Sequence, residues 1–120
     1  MHRDFGVQMH TTGRVVTLTV TGELDLVSSP MLERELERAI GLDADLILLD
    51  LRALEFMDST GVHLLLKAQQ RAEQAGRRLA LTKGGEQVQR LLELTGVADL
   101  VRIVASPAEV LGADCAPDGP

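Results

Sequence analysis

Leu46-Ile47-Leu48-Leu49-Asp50, then Leu51-Arg52-Ala53, then Leu54-Glu55-Phe56-Met57-Asp58-Ser59-Thr60-Gly61 is the stretch whose reading decides the fold. Residues 46–49 are apolar at every position, not at alternate ones, as in a strand buried on both faces. The short polar residues Asp58, Ser59 and Thr60 precede a helical pattern of Val62, Leu65, Leu66, Ala68 and Ala72. A central strand therefore hands over to a helix through side chains that can cap free amides. Such a corner suits capping or chemistry.

Upstream, residues 5–10 and 15–21 flank Thr11-Thr12-Gly13-Arg14 and read as an opening β-hairpin. Val16, Leu18 and Val20 fall on one face of the second strand and Val15, Thr17 and Thr19 on the other. Gly22-Glu23-Leu24-Asp25 ends that strand. Ser29 is the expected cap of a helix with Pro30 in its first turn and Leu32, Leu36, Ala39 and Ile40 on its apolar side. Its other side, Glu33, Arg34, Glu37 and Arg38, reads as solvated, and Gly41 closes it.

Downstream, the helix from near Ser59 runs to about Gln74 and stops at Gly76. A strand over 79–82 and the turn Lys83-Gly84-Gly85 follow. A third helix carries Val88, Leu91 and Leu92 and ends at Gly96; a short strand over 100–104 and a helical turn over 107–111 complete the pattern. Residues 112–120 read as a disordered tail. The expectation is one α/β domain over 1–111, a mixed four- to five-stranded β-sheet with about four helices packed mainly on one face.

Composition narrows the function. The chain has 120 residues, enough for one self-sufficient core, and a net charge of −6, which disfavours nucleic acid and anionic membranes as partners. Aromatic residues make up only 2%, so the core must be aliphatic and base stacking has little to use. By elimination, the expected class of partner is a protein. Cys115 is the single cysteine, which fits a reducing compartment, and no window resembles a signal peptide or a membrane span. The reading is cytoplasmic.

Enzyme signatures fail one by one. Lys83 precedes Gly84-Gly85 where a phosphate loop needs it after, and no Ser or Thr follows to hold magnesium. His2, His10 and His63 share no metal-ligand spacing with each other or with Cys115. Asp58, Ser59 and His63 on one helical turn do not give a base that points at a nucleophile and is held from behind. No catalytic residue, metal or cofactor is expected.

Ser59 reads in two compatible ways. Asp58-Ser59 caps the Val62 helix, and a serine at such a corner is also open to a kinase. A phosphoryl group would add about −1.5 to −2 charge, which the helix amides and dipole tolerate locally. Asp58, Glu55 and the loop at Glu23 and Asp25 already make the patch acidic. A dianion there opposes docking, so phosphorylation would act as an off switch.

The three segments Gly22-Glu23-Leu24-Asp25, Met57-Asp58-Ser59-Thr60-Gly61 and Val88-Gln89-Arg90-Leu91-Leu92-Glu93-Leu94-Thr95-Gly96 closely resemble the STAS domain, in its stand-alone anti-sigma factor antagonist form. The resemblance spans about residues 5–111. It implies a partner switch: the unmodified chain binds an anti-sigma factor that is also a GHKL-type serine kinase, freeing a sigma factor for transcription. It further implies phosphorylation at Ser59 by that kinase, reversal by a PP2C-type phosphatase, and a docking surface of Asp25, Asp58, Ser59, Thr60 and Gly61. One departure is Val62-His63, where the family often has Leu-Gly, which is expected to bear on partner choice. The other implied role is a non-catalytic docking subunit of a larger signalling assembly or of a lipid-transport ATPase.

Overall fold

The computed structural model describes residues 5–115, the side chains of 112–115 excepted. Strands β1 (Gly6–Thr12) and β2 (Val15–Leu24) form the expected antiparallel hairpin, with Thr12 paired to Val15 and Gly13 at φ 58° making the turn. Helix α1 (Ser29–Gly41) leads to β3 (Leu46–Asp50), which lies parallel to β2. Then come β4 (Leu54–Met57), α2 (Ser59–Gln74), β5 (Arg78–Thr82), α3 (Glu86–Leu94), a short α4 (Val97–Leu100), β6 (Arg102–Val104) and α5 (Ala108–Cys115). The sheet order is β1-β2-β3-β5-β6, with β4 pairing β2.

The solid apolar strand is central, as its composition requires: every residue of β3 is buried, between β2 and β5. Its side chains alternate between two cores. Ile47 and Leu49 join Val16, Leu18 and Val20 beneath the apolar sides of α1, α2, α3 and α4. Leu46 and Leu48 join Val15, Ala80 and Val104 on the opposite face, where Val110 and Leu111 of α5 cover them. Four helices thus occupy one face and α5 the other.

Among the described residues the sheet has six strands where four or five were expected, and β4 makes the difference. β2 is long enough to pair twice along one edge: Val15 to Thr19 with β3, then Gly22 to Leu24 with β4. Between Gly22 and Glu23 the register slips, so that Glu55 is an extra residue. Leu54 and Met57 therefore both point inward while Glu55 and Phe56 face out, which erases the two-residue period of a strand.

Other boundaries shift. α1 is preceded by Ser28, not Ser29, in the cap position, and no side chain caps it. Its polar side is more than solvated: Glu33 pairs with Lys67 and Glu37 with Arg71 of α2. The last strand begins at Arg102, because 97–100 coil into α4. α5 extends to Cys115, past the expected start of a tail at Gly112; 116–120 lie outside the described residues.

The turn between β3 and β4 is fastened from within. Asp50, 5% exposed, accepts from the backbone N–H of Arg52, from its side-chain Nε and Nη2 at 2.9 Å each, and from the Thr82 hydroxyl. Thr82 in turn accepts the Leu51 N–H at 2.8 Å. Burial acts to raise the Asp50 pKa, but the bonds and charge of Arg52, with Thr82, outweigh it and hold the carboxyl below its usual value. A depressed carboxylate stabilises the fold above its unfolded pKa of about 4 and loses that contribution as pH falls through its folded value. Asp50→Asn should therefore cost about 1–3 kcal/mol at pH 7, and urea titrations should show the gap from the parent narrowing below about pH 4.

Candidate functional site

Two chain segments emerge side by side at the C-terminal end of β2. Leu24 pairs with Met57, and the Leu24 carbonyl accepts the Asp58 N–H at 3.2 Å. The loop that begins at Asp25 and the start of α2 are thereby set next to each other.

Asp58 is the N-cap of α2, with extended backbone at φ −112° and ψ −170°, and its Oδ1 accepts the Thr60 N–H at 2.9 Å. Its carbonyl accepts the amides of Gly61 and Val62. Because the aspartate does the capping, Ser59 is left as the first helical residue. Ser59 is exposed, and among the described residues its hydroxyl has no hydrogen-bond partner. Thr60 is half-buried beside it.

Gly61, expected on the docking surface, is buried below it. A Cβ there would lie 2.6 Å from Met57 Cγ and 2.9 Å from Leu24 Cδ2, both on fully buried side chains. The glycine lets α2 start flush against β2 and β4. It sets the height of Ser59 and does not itself face solvent.

Asp25 organises its loop. Its Oδ1 accepts the amides of Val27 and Ser28 at 3.0 and 3.1 Å, and its carbonyl accepts the Ser29 N–H at 2.9 Å. The Ser28 hydroxyl accepts the Asp25 N–H and donates to the Glu23 carbonyl at 2.7 Å. This fastened loop holds Leu26 and Val27 out into solvent, 75% and 76% exposed. Two aliphatic side chains presented on a fixed loop next to a capped helix start suit contact with another protein.

One supporting residue escapes sequence reasoning. The Gln87 side chain reaches back from α3 to Met57, accepting its N–H at 3.0 Å and donating to its carbonyl at 2.8 Å. It stands in for a neighbouring strand on the free edge of β4, one residue before Asp58. Nothing local in the sequence announces a bond across 30 positions. Gln87→Ala should cost about 1–2 kcal/mol, read by urea denaturation, with the Met57 amide and the core amides that open only on global unfolding exchanging hydrogen about tenfold faster.

The Asp58 carboxylate is committed to the Thr60 amide, and among the described residues no histidine held from behind by a carboxylate stands at the Ser59 hydroxyl. Among the described residues no three His, Cys, Asp or Glu side chains cluster as a metal site. No helix among them is long and apolar enough to cross a membrane. What remains is an exposed hydroxyl on a rigid corner, flanked by carboxylates and two aliphatic side chains.

Comparison with known proteins gives the chain its relatives. The anti-sigma F factor antagonist of Paenibacillus polymyxa is 28% identical over 106 residues, covering 88% of this chain and 91% of that protein. The anti-sigma-B factor antagonist of Bacillus subtilis is 30% identical over 90 residues, 75% of this chain and 82% of the other. The crystal structure of an anti-sigma factor antagonist from Mycobacterium paratuberculosis shares the fold with a TM-score of 0.83 at 22% identity, over 92% of this chain and 93% of that one. The family model for the STAS domain matches residues 6–110, nearly the whole length, and the chain belongs to the STAS domain family.

Proposed function

We propose that this chain is an anti-sigma factor antagonist working by partner switching in the cytoplasm. Unmodified, it docks through the Asp25 loop and the Asp58-Ser59-Thr60 corner onto an anti-sigma factor, which then releases its sigma factor for transcription. The anti-sigma factor is a GHKL-type serine kinase: it transfers the γ-phosphoryl group of ATP to the Ser59 oxygen, which loses its proton, and ADP leaves. The phosphorylated chain no longer docks, and a PP2C-type phosphatase hydrolyses the ester to restore it. The chain itself binds and does not catalyse.

The observation that carries this reading is the division of labour between Asp58 and Ser59. A serine that capped its own helix would have its oxygen turned inward to the amides. Here Asp58 caps, so the Ser59 hydroxyl is available without loosening α2. The adjacent helix amides and dipole can accommodate the added charge, so modification alters docking and leaves the fold intact.

The test is capture from a native lysate with three baits: the unmodified chain, Ser59→Ala and Ser59→Asp. Retention of a GHKL-type kinase by the first two and its loss by the third supports the switch. Equal capture of one partner by all three contradicts it, and would make the protein a docking subunit with Ser59 as a bystander.

A further inference from the structure

The ion pairs between α1 and α2 form a ladder with a constant offset. Glu33 pairs with Lys67 and Glu37 with Arg71, each across 34 positions. On α2 the basic members follow one another at four-residue spacing, and stepping back one rung along the same stripe gives His63, then Ser59. On α1 the same step back from Glu33 gives Ser29, the first residue of the helix, which carries no charge. His63 is thus a potential cation whose rung has no acid, and its neighbour along the stripe is the exposed hydroxyl of Ser59.

We propose that His63 is the residue that receives the phosphate of phosphorylated Ser59, so that the phosphoserine supplies the anion missing from the ladder and the modified state becomes sensitive to pH. The inference rests on Ser59 as the modification site. Residues four apart on a helix have Cβ atoms about 5–6 Å apart, within reach of a phosphate oxygen and an imidazole N–H. Both side chains are exposed and neither has another partner among the described residues.

The surrounding charges leave the pair intact. On α2 itself, Lys67 is held by Glu33 of α1, and Asp58 accepts the Thr60 amide. Of the other elements packed on α2, Asp99 belongs to α4, Arg78 begins β5 at the far end of the helix and Glu55 points outward from β4. Asp25 is engaged within its own loop.

Free histidine titrates near pH 6.5 and the second phosphate proton near 6, so the pair is strongest in the window where imidazolium and dianion coexist. Opposite charges stabilise each other's ionised forms. The imidazole pKa must therefore rise on phosphorylation and the phosphate pKa must fall by a linked amount. Above the raised imidazole value the clamp is lost, exposing the phosphate more freely to a phosphatase.

The test installs phosphoserine at position 59 of the full chain during translation, so that no kinase is needed. NMR titration of the imidazoles should show the His63 pKa higher by about 0.5–1 unit in the phosphorylated chain than in the unmodified one, with His10 unchanged as an internal reference. In phosphorylated His63→Gln, the phosphorus resonance should titrate about 0.3–0.5 unit higher than with His63 present. Identical His63 pKa values in the two forms would overturn the proposal. A shifted His63 in a chain whose Ser59 no cognate kinase modifies would uphold the pair and overturn the switch instead.

Discussion

Ser59→Asp is expected to weaken binding to the anti-sigma partner about a thousandfold, while Ser59→Ala stays within about threefold of the unmodified chain. The asymmetry follows from the site. Removing the hydroxyl deletes a group that holds nothing in the fold, because Asp58 supplies the cap. Adding a carboxylate puts a charge beside Asp58 in a surface that docking must dry. An uncompensated charge buried in an interface costs roughly 3–5 kcal/mol, and about 4 kcal/mol is a thousandfold. Calorimetric titration of the purified partner with each variant would read the effect directly. The two variants should unfold at nearly the same urea concentration, which separates loss of docking from loss of fold.

Gly61→Ala should destabilise the protein by about 1–2 kcal/mol, against the direction that helix propensity alone predicts. In an open helix, replacing Gly by Ala gains about 1 kcal/mol. Gly61 is not open: the added methyl would lie 2.6 Å from Met57 Cγ and 2.9 Å from Leu24 Cδ2, and both side chains are fully buried. Overpacking of this kind costs about 1–3 kcal/mol and outweighs the propensity. The displacement is expected to be of α2 away from β2 and β4, which would also lift Ser59 from its place beside the Asp25 loop. Met57→Ala removes the γ-carbon and should relieve part of the cost, so a double-mutant cycle by urea denaturation should show the two changes to be coupled by more than about 0.5 kcal/mol. Additive effects would mean that the contact does not set the helix position.

The parts of this molecule that were legible in its sequence are those set by neighbours in the chain. Residues 46–49 were readable as a central strand because a strand covered on both faces must be apolar throughout, and β3 is. The helix start at Asp58 was readable from the run of short polar side chains, and Gly76 and Gly96, both at positive φ, stand just past the helices they end. Less visible were features made by distant partners. β4 was hidden because the bulge at Glu55 breaks the strand period. The brace from Gln87 to Met57 and the α1–α2 ion-pair ladder join residues 30 and 34 positions apart, which no local pattern encodes. Within the motif, sequence could place Asp58 and Ser59 at the corner but not decide which of them caps, and that choice is what leaves the serine hydroxyl available.

The measurement that tests the switch most directly combines the purified chain with its captured kinase partner and ATP, maps the modified residue by mass spectrometry and follows the complex by size-exclusion chromatography. One phosphoryl group is expected, on Ser59, with the complex dissociating as it is added, and neither event with Ser59→Ala. Modification at another residue, or a complex that survives full phosphorylation of Ser59, would contradict it.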